Sequence, residues 1–183
     1  MRSKSFEGMV CPIAGVMSAI GDRWGMIVLR DLVLGLHRYD DFRRSSGITH
    51  ATLSDRLKHL ESNDLIERRP YQDHPERWEY FLTRRGRRVA SILPVIAQIG
   101  DELGMAGSST SPMAFVHRET GADVHWTFVD KASGAHLDLE DLAVREGPGA
   151  DELVRWRLAH AKQRQKGSAC AGSESTKSGR TSK

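Results

Sequence analysis

One stretch of the sequence, residues 49–69, constrains the fold more than any other. It reads THATLSDRLKHLESNDLIERR, with a hydroxyl-rich start, regularly spaced leucines and a basic end. Leu53, Leu57 and Leu60 are separated by three or four positions, so they fall on one narrow stripe of a helix. The first residue, a threonine, has a side-chain oxygen that can cap the start of that helix. The stretch therefore predicts a helix over residues 49–62 that packs its leucines on a core.

The opposite face of this predicted helix has a composition suited to reading DNA. Small and polar side chains lie near its start, and basic ones flank it: Ala51, Thr52, Asp55, Arg56, Lys58 and His59. A helix that enters the major groove needs an apolar back, a compact reading face and basic edges. Periodicity alone equally allows an ordinary solvated face, so the neighbouring segments have to decide.

Those neighbouring segments predict a complete domain. Three helices are expected before the stretch, over Pro12–Ile20, residues 23–34 and Arg38–Ser46. After it, Leu65–Tyr71 and Trp78–Leu82 have strand character on either side of a polar turn. Helices followed by a two-stranded hairpin predict a winged helix-turn-helix, a mainly α fold with a β wing (α+β).

In such a domain the predicted helix is the recognition helix, and double-stranded DNA is the expected partner. The wing, Gln72–Arg77, would reach the DNA backbone or minor groove, and Arg68 and Arg69 are expected on the same surface. Binding should weaken steeply with salt, because each neutralised phosphate releases counterions. The candidate DNA-binding residues are Arg43, Arg44, Thr49, His50, Ala51, Thr52, Asp55, Arg56, Lys58, His59, His74 and Arg77.

The part of the chain after the wing has a more varied composition. Thr83 can cap a long helix that runs toward Leu103, with a kink expected at Pro94. Residues 106–154 carry three basic and nine acidic side chains, whereas residues 155–183 carry eight basic and one acidic. The predicted organisation is an N-terminal arm (1–10), the DNA-binding domain (11–104), a linker (105–112), a small β module (113–150), a short helix (151–166) and a disordered basic tail (167–183).

Several classes of protein are disfavoured by the sequence. Two cysteines, Cys11 and Cys170, cannot form a disulfide framework or a four-thiolate metal site. Apolar runs of membrane-spanning length and a signal peptide are both missing, which predicts a cytoplasmic protein. Ser54, Asp55 and His59 are expected to splay around one helix, so we predict no catalytic site, no bound metal and no cofactor.

The sequence also resembles a known family. The segments CPIAGVMSAIGDRWGMIVLRDLVLG, RYDDFRRSSGIT, LSDRLKHLE and LIERRPYQDHPERWEYFLTRRG closely resemble HxlR-type winged helix-turn-helix transcriptional regulators, nearly continuously from Cys11 to about Leu103. The resemblance implies a homodimer formed through the first helix and residues 83–104. It also implies binding to a pseudo-palindromic operator, most often as a repressor. Two positions depart from the family pattern: members often carry Arg or Lys in place of Ala51, and a non-acidic residue in place of Asp55.

The resemblance extends to two further features. The segment after the linker resembles a zinc ribbon found in some of these regulators, but Thr120, Asp130 and Ser133 stand where its cysteines would be, so no structural zinc is expected. Cys11 stands where many members carry a cysteine that in some of them senses oxidants or electrophiles; it could equally pack at a dimer seam. An alternative function is an effector-binding or protein-interaction module in which DNA binding is secondary.

Overall fold

The computed structural model describes residues 6–105, 107 and 110–161. The chain divides into two compact units, Met1–Trp126 and Thr127–Lys183. The predicted β module at 113–150 includes residues of both units. The elements are α1 (Pro12–Ile20), α2 (Arg23–Val33), α3 (Tyr39–Ser46), α4 (His50–Ser62), β1 (Ile66–Asp73), β2 (Glu76–Leu82), α5 (Arg84–Ala90), α6 (Leu93–Glu102), β3 (Phe128–Val129) and β4 (His136–Leu137).

The core of the first unit forms around α4. Leu53, Leu57 and Leu60 are buried, which confirms the apolar stripe read from the sequence. They join a cluster with Leu29 of α2 and Phe42 of α3, both fully buried. A buried side chain of this size contributes about 1.5–3 kcal/mol relative to an exposed one, so this cluster fixes how α4 sits in the domain.

A buried carboxylate links α2 to α3. Asp31 is fully buried, and its Oδ1 accepts hydrogen bonds from Arg30 (2.7 Å) and from the Ser45 hydroxyl of α3 (2.9 Å). A buried charge needs pairing and hydrogen bonds, and these two donors supply them to Oδ1, while the buried Oδ2 has no hydrogen-bond partner among the described residues. Asp31 therefore holds α3 in place against α2, directly before the chain turns into α4.

The wing is an antiparallel hairpin of β1 and β2. Its strands are longer than predicted, leaving a turn at His74 and Pro75, and Tyr71 forms a bulge between Pro70 and Gln72. The segment before α3 joins the hairpin, because the Tyr80 backbone N–H donates to the carbonyl oxygen of His37 at 2.8 Å. The predicted fold, mainly α with a β wing in a winged helix-turn-helix, is confirmed.

The helix predicted from Thr83 to Leu103 is two helices rather than one kinked helix. Thr83 caps α5 as expected, since its hydroxyl accepts from the Gly86 backbone N–H at 2.9 Å. The prediction of a continuous helix is wrong because Pro94 has no N–H to continue the hydrogen-bond ladder of α5. Pro94 instead lies in the first turn of α6, where a missing N–H costs nothing.

The second unit has little regular structure. It contains β3 paired with β4, a short 3₁₀ turn at Leu139–Asp141 and a helix over residues 152–161. None of residues 127–161 is buried. The predicted tail at 167–183 and the end of the predicted helix beyond residue 161 lie outside the described residues, as do the first five residues of the predicted arm. Among the described helices, none is both long enough and apolar enough to cross a membrane.

Candidate nucleic-acid interface

The start of α4 is capped as the sequence predicts. Thr49 has an extended backbone, and its hydroxyl oxygen accepts from the Thr52 backbone N–H at 3.3 Å. The two threonine hydroxyls also lie 2.9 Å apart. Their oxygens and the exposed side chains of His50 and Ala51 form the open N-terminal end of the helix. Helix N-termini favour negative charge, so this end suits a phosphate or a base edge.

A tyrosine that the sequence reading missed holds this end of α4 in place. The Tyr39 hydroxyl, at the start of α3, lies 3.0 Å from the His50 carbonyl oxygen and 3.0 Å from the Ser54 Oγ. Its ring also stacks on the ring of His50, with centroids 5.7 Å apart. The helical spacing of α3 alone gives no signal for this role, because the contact joins residues 11 and 15 positions apart.

Farther along the exposed face lie Asp55 and Lys58. The Asp55 side chain is 67% exposed and pairs with Arg56. Lys58 is exposed and forms no ion pair with any residue that the structure describes. An exposed ammonium at this position can reach a phosphate, while Asp55 can accept only from a donor such as the amino group of cytosine.

Arg56 lies between two carboxylates. Its side chain is only 20% exposed and pairs with Asp22 across a 3.4 Å gap as well as with Asp55. Asp22 caps α2, accepting from the backbone N–H groups of Trp24 (2.9 Å) and Gly25 (3.1 Å). Arg56 thus bridges the α1–α2 junction and the exposed Asp55, which the wheel of α4 alone cannot reveal, and its contact with DNA stays a prediction.

His59 is drawn to the same junction. Its Nε2 lies 2.9 Å from the carbonyl oxygen of Ser18 in α1. The ring and the Arg56 guanidinium both border Gly21, where a Cβ would come within 3.0 Å of each of them. Arg56 and His59 therefore tie the C-terminal half of α4 to α1 and α2, and the contact of His59 with DNA stays a prediction.

The arginines of the neighbouring elements differ in exposure. Arg44 of α3 is exposed, whereas Arg43 is half-buried with its Nε buried and unpaired among the described residues. His74 and Arg77 are exposed in the wing, where the Gln72 side chain donates to the His74 carbonyl oxygen at 3.0 Å. These positions leave Arg44, His74 and Arg77 accessible to a DNA backbone.

Arg68 and Arg69 do not form one surface. The Arg68 guanidinium lies 4.7 Å from the ring centre of Trp78 and pairs with Glu61 at 3.3 Å. That of Arg69 lies over Phe81 and pairs with Glu67. Successive residues of a strand point to opposite faces, so the expectation that both line the DNA-binding surface is wrong.

The catalytic alternative finds no supporting geometry in α4. Ser54 contacts Tyr39, whereas His59 contacts α1 on another side of the helix, so the two do not meet as nucleophile and base. Among the described residues, no group of three or more His, Cys, Asp or Glu is arranged to hold a metal ion.

Comparison with known proteins places this geometry in a family. The model of the HxlR-like helix-turn-helix family matches residues 19–108. The chain is 31% identical over 147 residues to the uncharacterized HTH-type transcriptional regulator Rv3095 of Mycobacterium tuberculosis, covering 80% of this chain and 91% of the relative. The chain belongs to the HxlR-like helix-turn-helix family. This HxlR-like protein is a DNA-binding transcriptional regulator of the helix-turn-helix type.

Other relatives and solved structures agree with this membership. YdeP of Bacillus subtilis, also an uncharacterized HTH-type transcriptional regulator, is 36% identical over 100 residues, covering 54% of this chain and 74% of YdeP. The crystal structure of PA1607, described as a candidate transcription factor, is 30% identical with a TM-score of 0.68, covering 79% of the HxlR-like chain and all of PA1607. PA1374 of Pseudomonas aeruginosa matches with 33% identity and a TM-score of 0.55, covering 81% of this chain and all of PA1374.

Proposed function

We propose that the HxlR-like protein is a homodimeric repressor that inserts the N-terminal half of α4 into the major groove of a pseudo-palindromic operator. The observation that carries this proposal is the open start of α4, capped by Thr49 and held from α3 by Tyr39. Thr49, His50, Ala51 and Thr52 would contact the DNA there, with Asp55 and Lys58 one turn farther along.

Arginine and histidine side chains outside α4 would contact the DNA backbone. Arg44 is exposed on α3, and His74 and Arg77 are exposed on the wing. Arg43 could join them only by drawing its half-buried side chain outward. Backbone contacts of this kind position a protein on DNA without reading its sequence. A cytoplasmic location, in reach of the chromosome, follows from this role.

The proposed homodimer rests on unpaired apolar surface. Ile13 of α1 is 75% exposed and Leu103, directly after α6, is 66% exposed. Met17, Ile96 and Ile99 are also exposed, so α1 and α6 each present an apolar stripe. Exposed apolar stripes of this kind favour an interaction site, and a second copy of the chain would cover them.

Light scattering of the full chain tests the homodimer. Ile13→Glu should convert a dimer to a monomer, because it places a charge in the proposed apolar interface. Val144→Glu is a matched control, since Val144 in the other unit is also 75% exposed. A wild-type protein that is monomeric at micromolar concentration would contradict the proposed homodimer.

A gel shift tests operator binding. The full chain should bind the DNA upstream of its own gene, and the shift should weaken strongly between low and physiological salt because counterions are released on binding. Lys58→Ala should weaken the shift while Lys131→Ala, in the other unit, should not. Folded protein that gives no shift at low salt would contradict the proposed operator and leave the effector-module alternative.

Cys11 is the candidate for a redox response, the second function left open by the sequence. It occupies the N-cap position of α1 and is partly exposed, so an oxidant can reach its sulfur. Under this proposal, diamide should abolish operator binding by the wild type but not by Cys11→Ser. Loss of binding in both proteins, or in neither, would leave Cys11 as a packing residue.

A further inference from the structure

The proposed DNA-binding surface does not use the part of the first unit that follows α6. There, the segment from Ser111 to Trp126 packs against α6 and borders an open cavity of about 500 Å³. Small-molecule sites typically have volumes of roughly 300–1,000 Å³, so the cavity is of the right size for an organic ligand. Its walls carry Met113, Phe115, Val124 and Trp126.

Hydrogen bonds hold the two walls of this cavity together. The Trp126 backbone N–H donates to the Gln98 side-chain oxygen at 2.8 Å, and the Ser111 hydroxyl donates to Asp101 at 2.7 Å. Val124 N–H donates to the Phe115 carbonyl oxygen at 3.1 Å across the far wall. The cavity is therefore formed before a ligand arrives, which lowers the entropy cost of binding.

The charge of the lining has one sign. Three carboxylates line the cavity, from Asp101, Glu102 and Asp123, and none of its described lining residues is Lys or Arg. Asp101 and Glu102 accept hydrogen bonds from the neutral donors Ser111 and Gln98. None of the three carboxylates forms an ion pair with a described residue. Their negative charge is therefore left uncompensated beside the aromatic wall.

The face of α6 that lines the cavity is not its exposed apolar stripe. At roughly 100° per residue, Pro94, Gln98 and Asp101 share one side of the helix and Ile96 lies on the opposite side, while Val95 and Glu102 of the lining lie between that side and Ile99. A second copy that covers the stripe would therefore leave the side with Pro94, Gln98 and Asp101 uncovered. A second cavity of about 630 Å³, near α1, is lined by Arg84, Arg85 and Arg88 and has the opposite charge.

We propose that the cavity between α6 and residues 111–126 binds a hydrophobic organic cation, with Trp126 and Phe115 against its apolar body and the three carboxylates around its charge. Aromatic rings attract cations through their negative faces, and carboxylates add electrostatic attraction. Trp126 is 42% exposed, so a ligand can reach its ring. The inference does not depend on DNA binding, although occupancy of this site would provide a regulator with an effector.

Calorimetric titration of the full chain with tetraphenylphosphonium chloride tests the inference. The tetraphenylborate anion is the matched probe, since it has the same shape and the opposite charge. The lining also includes His125, and both titrations are run at pH 8. The cation should bind at one site per chain, and the anion should show no binding that depends on Trp126.

Substitutions of the lining residues test whether the cation binds in this cavity. Trp126→Ala should weaken cation binding by roughly tenfold or more, and Asp123→Asn or Glu102→Gln by about threefold each. Glu140→Gln, which removes a carboxylate in the other unit, is the matched control and should change nothing. Circular dichroism verifies that each variant is folded, and the two carboxylate variants decide the matter if Trp126→Ala loses its structure.

Three results would overturn the inference: no cation binding by the wild type up to millimolar concentration, cation binding that none of the variants weakens, or equal Trp126-dependent binding of both ions. The gel shift provides a separate readout, since failure of operator binding would leave these titrations unchanged.

Discussion

The two halves of α4 contact different parts of the molecule. The N-terminal half, from His50 to Asp55, is held from one side by Tyr39 of α3 and leaves its outer face open. The C-terminal half turns Arg56 and His59 inward, onto Asp22 and the Ser18 carbonyl oxygen. A single helix thus provides both a candidate reading surface and an anchor to α1 and α2, although the same leucine stripe runs beneath both halves.

This difference teaches that polarity on a helix does not by itself identify a reading face. Arg56 and Lys58 are both basic and only two positions apart, yet one is 20% exposed and ion-paired while the other is exposed. What separates them is the position of the α1–α2 turn, which packs beside the first and not the second. Substitutions of α4 side chains that contact the α1–α2 turn should therefore affect mainly stability, and substitutions of its exposed side chains should affect mainly DNA binding.

The largest expected effect is a loss of folding stability when a leucine of the shared stripe is shortened. Leu57→Ala should lower the free energy of unfolding by about 3 kcal/mol, because it removes a buried side chain and leaves a cavity. The adjacent Lys58→Ala is the control and should stay within about 0.5 kcal/mol of the wild type. Urea denaturation measures both, and equal losses would show that α4 does not pack as described.

The next largest effect is a loss of stability at the α1–α2 turn, which Arg56 and His59 contact. Gly21 has a φ of 91°, and a Cβ there would meet both side chains within 3.0 Å. Gly35 has nearly the same φ, 89°, but nothing within 4 Å of its Cβ position. Gly35→Ala should cost about 1 kcal/mol from backbone strain alone, and Gly21→Ala should cost more. Equal losses in thermal unfolding would contradict the contact with α4.

Arg56 and Lys58, both in the C-terminal half of α4, provide the sharpest contrast between a basic side chain that anchors the helix and one that is exposed. Arg56→Ala should lower the free energy of unfolding by about 1 kcal/mol and leave the salt dependence of DNA binding unchanged, because its charge already pairs with Asp22. Lys58→Ala should leave stability unchanged and reduce the slope of log affinity against log salt by about 1. The reverse pattern, from denaturation and binding isotherms, would place Arg56 on the DNA.

The smallest expected effect is that of a single hydroxyl. Tyr39→Phe keeps the ring against His50 but removes the oxygen that contacts the His50 carbonyl and Ser54. Operator affinity should fall a few-fold, with a loss of stability of about 1 kcal/mol at most, since the start of α4 is less firmly held. His37→Phe, on the wing side of α3, is a control for general disturbance, and an equal affinity loss there would remove the special role of Tyr39.

The sequence was sufficient for the parts of the fold that local periodicity determines. The leucine spacing predicts the buried stripe of α4, the two strand-like segments beside a polar turn predict the wing, and Thr49 predicts the cap. Where a helix ends also depends on a local feature, the presence or absence of a backbone N–H that can continue its hydrogen bonds. The sequence predicts an interruption at Pro94. It does not predict that two separate helices result, because that depends on whether the turn before Pro94 continues the helix.

The parts of the site that the sequence could not predict depend on contacts between distant segments. Ser18 and His59 are 41 positions apart, and a helical wheel drawn for one helix has no information about the other. Tyr39 was missed for the same reason. Arg68 and Arg69 are a different case, because alternation along a strand, which is visible in the sequence, places their side chains on opposite faces.

The measurement that tests the central claim most directly is selection of preferred DNA sequences from a random pool by the wild type and by Asp55→Asn. Asp55 is exposed on the N-terminal half of α4, where its carboxylate can accept from a cytosine amino group. The variant should change the preferred base at one position in each half-site, and His59→Ala should preserve the wild-type preference. An unchanged preference in Asp55→Asn together with an altered one in His59→Ala would contradict the assignment of the reading face to the N-terminal half of α4.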